Sequence, residues 1–303
     1  MNREEYLSMV SASYIRLKES GVFTAFSLIT HRSNWLTVEY LQKDVEEEVR
    51  DAERYEIFNL VVIENHKVKG SINVKDLCNG DWDHCVPLSS FTINPSTPIP
   101  NLVETFSKDS RDTDRKRSPV YFVNSTNGAK QNPLGILTFW DLNRAPVYIL
   151  STLVVTFVEQ SLLDQAKNAY FHKDQIDLLS CTQRVRDYIE AMDFSPSRLS
   201  EWYFHDFISL IRSDETIRMG SLPLSGELVS ALEGTGNDSF RNRVNHSNKL
   251  VVRDDDINFT QDLHKLCVVM TEGLPWIDEF TNPKVSYTSR LPKVNASSES
   301  FYI

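Results

Sequence analysis

One plan is written twice in the first half of this chain. "LVVIENHKVKGSINVKDL" (60–77) reads as strand, turn, strand and helix start. "VYFVNSTNGAKQNPLGILTFWDL" (120–142) has the same order with a longer turn. Gly70 and Gly135 stand 65 positions apart, and so do Asp76 and Asp141. "LVVI" and "VYFV" are short apolar runs rich in β-branched and aromatic residues, which suit buried strands. A helical stretch precedes each copy: "DVEEEVRDAERYEI" and "IPNLVETFSKD". One such unit is too small to bury both faces of its sheet, and two packed together solve that problem.

After Val147 the period changes from strand to helix. "VYILSTLVVTFVEQSLLDQAKNAY", "KDQIDLLSCTQRVRDYIEAM", "SRLSEWYFHDFISLIRSD", "SFRNRVNHSNKLVV" and "DINFTQDLHKLCVVMTEGLPWI" carry apolar residues three and four apart. The β-branched run "TLVVT" also suits a strand. Asp256 and Asp262 are expected at caps or on exposed faces. The fold class is therefore α+β: an N-terminal α/β pair followed by an all-α helical bundle. The divisions are an N-terminal helix at 1–20, the pair at 21–148 (about 21–86 and 87–148), a helical domain at 149–280 and a loose tail at 281–303.

Charge narrows the function. The 303 residues carry a net charge of -10, which excludes a broadly basic nucleic-acid glove. Any RNA contact must be local. The four cysteines show no disulfide framework, so a reducing, cytoplasmic setting is expected. The N-terminus has no signal-peptide core, and the apolar run at 147–158 is too short to span a bilayer. No membrane partner is expected.

The segment "GILTFWDLNRAP" (135–146) is the first candidate site. Gly135 lets the backbone run close to a neighbour. Thr138 and the amides of a helix start can hold a phosphate. Asp141 can accept both hydroxyls of a ribose, and Arg144 can reach a second phosphate. The alternative is that Thr138 caps a helix and Asp141 complements its dipole. The repeat resembles a tandem pair of CBS domains (cystathionine-β-synthase type), the Bateman module. Gly135, Thr138 and Asp141 match that family's ligand motif. In the first copy Gly70 and Asp76 remain while Asn73 replaces the hydroxyl residue. The resemblance implies an adenine nucleotide as regulatory ligand and pairwise dimerisation.

The second candidate site is "FRNRVNHSNKLV" (240–251). Asn242 and His246 are i and i+4, so on a helix the amide can orient the imidazole. Arg241 and His246 lie roughly 140° apart around one helix, so two copies across a dimer axis are needed to unite them. His suits proton abstraction from a 2′-hydroxyl, and Arg suits charge on a phosphate. Glu159, which interrupts an apolar helix, is either a partner for Arg241 or the point where that helix reaches solvent. Arg241, Asn242 and His246 resemble the signature of HEPN-domain ribonucleases. That resemblance implies a metal-independent endoribonuclease acting on an RNA substrate as a homodimer, in a toxin-like or antiphage role. The alternative is a non-catalytic nucleotide-sensing scaffold that recruits a partner. No cofactor is required by either reading. "CNGDWDHC" (78–85) gathers possible metal ligands but lacks paired-cysteine spacing, and reads as a polar linker. The basic run Arg115-Lys116-Arg117 reads as a solvated loop.

Overall fold

The computed structural model describes residues 3–109, 120–124, 133–170, 177–190, 204–213, 226–233, 239–245, 249–253 and 258–281. His246, the run Arg115-Lys116-Arg117 and the tail beyond 281 lie outside the described residues.

Helix α1 (Arg3–Glu19) leads into the first unit: β1 (Thr30–His31), β2 (Thr37–Glu39), α2 (Glu46–Arg54), β3 (Asn59–Glu64), β4 (Lys67–Asn73) and α3 (Val74–Cys78). The second unit repeats it: β5 (Val86–Pro87), β6 (Thr92–Ile93), α4 (Ile99–Asp109), β7 (Tyr121–Val123), β8 (Gly135–Leu137) and a 3-10 helix, Phe139–Asn143. In each unit the second strand runs parallel to the third, and the third antiparallel to the fourth. The registers match: Gly70 lies opposite Val62, and Gly135 opposite Val123.

The outer strands are exchanged. β1, which precedes the first unit's sheet, pairs antiparallel with β8 of the second unit. β5, which precedes the second, pairs antiparallel with β4 of the first. The sheets are therefore β2-β3-β4-β5 and β1-β8-β7-β6, each completed by the other unit. Trp35 Nε1 donates to the Thr30 carbonyl at 2.8 Å and fixes the crossing strand. This exchange explains both glycines. A Cβ at Gly70 would run into the Val86 carbonyl. A Cβ at Gly135 would lie 2.7 Å from Ile29 Cβ and 3.0 Å from the Thr30 oxygen.

Alternation along the strands builds two layers of core. Leu60, Val62 and Ile72 face Ala52 and Leu77 within the first unit. Val61 and Val68 point the other way and meet Val120 and Phe122, so the two sheets pack face to face. In α4, Ile99, Leu102, Val103 and Phe106 follow a helical period and are all fully buried.

The helical half comprises α5 (Ala145–Tyr170), α6 (Gln183–Glu190), α7 (Phe204–Ser213), α8 (Gly226–Glu233), α9 (Phe240–Asn245) and α10 (Phe259–Thr281). "TLVVT" is helical despite its β-branched residues, because Val154, Val155 and Val158 all find buried partners. Packing overrides propensity there. The segment 171–176 is outside the description, and 178–180 form a separate 3-10 turn before α6. One apolar core runs from α4 and the second sheet into the bundle. Phe139 meets Phe106 at 5.1 Å and Phe259 at 5.0 Å between ring centres.

Candidate functional site

At the end of β8 the chain turns into a 3-10 helix at Thr138, and Asp141 reaches back to that turn. The Thr138 amide donates to Asp141 Oδ2 at 2.6 Å, and the Thr138 hydroxyl donates to the same oxygen at 3.1 Å. Oδ1 pairs with Arg144 Nη2 at 2.7 Å and accepts from Thr30 Oγ1 at 3.4 Å. Arg144 also donates to the Ile29 carbonyl at 2.9 Å and to Thr30 Oγ1 at 2.6 Å. Asp141 is buried, and burial pushes its carboxyl above the ordinary aspartate range, against the opposing pull of Arg144, Thr138 and Thr30. Gly135, Thr138, Asp141 and Arg144 are thus brought together around the exchanged strand, whose Thr30 sequence reasoning missed. A two-residue strand carries no periodic signal that would have found it.

The first copy differs in every partner. Asn73 caps α3 with its own side chain, accepting from the Lys75 amide at 3.0 Å. The residue in the register of Thr30 is Val86, and the one 65 positions before Arg144 is Asn79. Asp76 therefore turns outward to His84 Nδ1, at 3.5 Å. Asp81 joins them, and the three ligand atoms lie within 4.8 Å of one another, as a cation site requires. Asp81 and His84 are exposed, and solvated carboxylates gather beside an imidazole without an ion as well.

In the helical half, Ser239 starts α9: its Oγ accepts from the Asn242 amide at 3.2 Å. Phe240, Arg243 and Val244 form the buried face of α9, while Arg241 and Asn242 lie partly exposed. The Nε of Arg241 donates to Glu159 of α5, and its guanidinium lies 5.6 Å from the centre of the Phe204 ring of α7. Both ion-pair side chains are 29% exposed. Three helices thus fix one arginine at the surface.

Beneath it lies a second arginine site. Arg243 donates to Asp262 Oδ1 at 2.7 Å. Arg253 donates to Oδ2 through Nε at 2.7 Å and through its own amide at 3.1 Å. Asp262, expected at a cap or an exposed face, is completely buried. Its two cationic partners converge from separate segments, which the apolar period of α10 does not reveal.

Two clefts among the described residues lie near the helical half. One, of about 520 Å³, is lined by Asn143, Tyr148, Ile149, Thr152 and Val244 among others. The other, of about 490 Å³, lies among residues of α1, α4, α5 and α10. Neither is lined by Thr138, Asp141 or Arg241. No helix among the described residues is long and apolar enough to cross a membrane.

No protein-family model matches the chain, and no curated protein matches it significantly. Seven solved chains do. One is a functionally unknown conserved protein domain from Neisseria meningitidis MC58. It is 16% identical, with a TM-score of 0.32, covering 46% of this chain and 97% of that one. Another is the CBS domain of the bacterial CNNM/CorC family Mg2+ transporter. It is 15% identical, with a TM-score of 0.31, covering 47% of this chain and 94% of that one.

Proposed function

We propose that the chain is a nucleotide-regulated, metal-independent endoribonuclease: a tandem CBS-type module joined to a HEPN-type helical domain that acts as a homodimer. The observation that carries this reading is the setting of Arg241. Glu159 holds its Nε and Phe204 lies by its guanidinium, and among the described residues its two terminal nitrogens make no other hydrogen bond. Such a fork, oriented from behind and open in front, suits a phosphate.

The chemistry needs three elements. His246 takes the proton of a ribose 2′-hydroxyl. The freed oxygen bonds to the adjacent phosphorus while the bond from phosphorus to the 5′-oxygen breaks, and that oxygen leaves with a proton. Arg241 compensates the charge that builds on the phosphoryl oxygens. Asn242 orients the imidazole. The products are a 2′,3′-cyclic phosphate and a free 5′-hydroxyl. Arg241 and His246 are spaced i and i+5, which a regular helix holds roughly 140° apart, so on this reading the two protomers supply complementary halves of each centre.

Regulation belongs to the second junction of the module. An adenine nucleotide places its ribose at Asp141 and displaces Arg144 to a phosphate. The reading is tested with an RNA oligonucleotide carrying a single 2′-deoxy nucleotide at the cleavage position, in EDTA. Cleavage of the all-ribose strand, and none at the deoxy position, is expected. Cleavage at both, or dependence on a divalent ion, would remove the assigned chemistry.

A further inference from the structure

Asn143 and Arg144 are consecutive and serve opposite sides of the molecule. Arg144 turns to the exchanged strand and the Asp141 carboxylate. Asn143 turns to the helical half. Its Nδ2 donates to the Val252 carbonyl at 3.0 Å, and its Oδ1 accepts from the Val252 amide at 3.0 Å. One side-chain amide thereby supplies the donor and the acceptor that a neighbouring strand would supply. Val251 and Val252 are buried, so both main-chain groups of Val252 depend on this clamp for a partner close to hand.

The next residue along is Arg253, and its amide and side chain both bind Asp262. Asp262 in turn holds Arg243 of α9, the helix that carries Arg241. Polar contacts and two peptide links, Asn143–Arg144 and Val252–Arg253, therefore form a continuous path from Asp141 to Asp262 and α9. A second contact ties α5 to the end of α9: Thr152 donates to the Val244 carbonyl at 3.4 Å. It does not pass through residue 143.

We infer that Asn143 and Arg144 form a two-sided latch that transmits the state of the Thr138–Asp141 junction to the segment 249–253, and through Asp262 to the arginine-bearing helix. The inference rests on the reading of that junction as the sensing site. Ligand-induced change at a distance requires two arrangements that the junction's occupancy distinguishes. Here they are Arg144 held by Asp141, with Val252 clamped, and Arg144 released, with Val252 loosened. A chain of contacts is a route only if its links are energetically coupled.

Coupling is measurable without nucleotide or RNA. Asp141→Asn weakens the hold on Arg144 much as a competing ligand would. Amide hydrogen exchange at Val252 and Arg253 is read in wild type, Asp141→Asn, Asn143→Ala and the double variant. Asp141→Asn should speed exchange at both amides about tenfold, and should add nothing in the Asn143→Ala background. Thr30→Val removes a hydroxyl shared by Arg144 and Asp141, leaves the carboxylate in place, and should act in the same direction. It carries the test if Asp141→Asn folds poorly. Equal acceleration with and without Asn143, or acceleration confined to residues 29–31 and 138–144, would overturn the latch. A wild-type protein that binds no nucleotide or cuts no RNA would instead count against the proposed function, and the exchange result would stand by itself.

Discussion

Arg243 and Asp262 form an ion pair at 2.7 Å with both side chains almost completely out of solvent, at 2% and 0% exposure. The pair joins α9 to α10 below the surface arginine. Breaking a buried pair costs about 3–5 kcal/mol when the remaining charge has no other partner. Asp262 keeps Arg253, so Arg243→Met is expected to lose less, about 1.5–3 kcal/mol, in urea unfolding. The double variant Arg243→Met/Asp262→Leu should recover part of it, because Arg253 is 21% exposed and can turn to water. A single variant as stable as wild type would contradict the buried network.

The exchanged strands predict an order among glycine substitutions. At Gly70 an added methyl meets the main chain of Val86, which cannot step aside without breaking the β4–β5 pairing. At Gly135 the closest atom belongs to the Ile29 side chain. Gly80 has open space but a φ of 74°, so alanine there meets only backbone strain of about 1 kcal/mol. Thermal unfolding should rank the losses as Gly70→Ala, then Gly135→Ala, then Gly80→Ala. A Gly70→Ala variant that melts with wild type would remove the exchange.

Asp141 sets a pH dependence with a definite sign. Its carboxyl is raised by burial, so the folded chain binds this proton more tightly than the unfolded chain does. That contribution to stability is complete below the unfolded value, about 3.9, and is lost as pH rises through the folded value. Asp141→Asn removes it. Between about pH 4 and about pH 7 the urea midpoint of the variant should therefore fall less, or rise more, than that of wild type. The opposite difference would mean that Arg144 outweighs burial.

Glu159 separates positioning from charge. It is partly exposed, so its pair with Arg241 contributes only about 0–1 kcal/mol to stability. Glu159→Gln keeps an acceptor for the Arg241 Nε, and cleavage should stay within a few-fold of wild type. Glu159→Ala should lower kcat about tenfold while tightening RNA binding, because one negative charge leaves the phosphate site. Unchanged kcat with Glu159→Ala would leave that carboxylate no part in orienting Arg241.

The repeat was legible because its strands are uniformly apolar and its Gly and Asp recur at one spacing. The exchange of outer strands was not. Thr30–His31 and Val86–Pro87 are two residues each, too short to show alternation, and their partners lie in the other unit. Gly135 was read as a place of close approach, and what approaches it, as at Gly70, is the exchanged strand. In the helical half, the interruption at Glu159 left two readings, a partner for Arg241 or the point where the helix reaches solvent; Arg241 meets it, and the pair is partly exposed. Asp262 was misplaced because the amphipathic period marks where a residue sits but not which distant cations converge on it. Arg243 could have been noticed: it stands three residues after Phe240 and one before Val244, on the apolar face of its helix.

The proposed function is tested most directly by one comparison: cleavage of a labelled RNA by wild-type protein and by His246→Ala, in EDTA, at matched protein concentration. It predicts cuts ending in a 2′,3′-cyclic phosphate for wild type, and at least about a hundredfold less product for the variant. Equal cleavage by the two proteins, or none by either with and without adenine nucleotides, would contradict it.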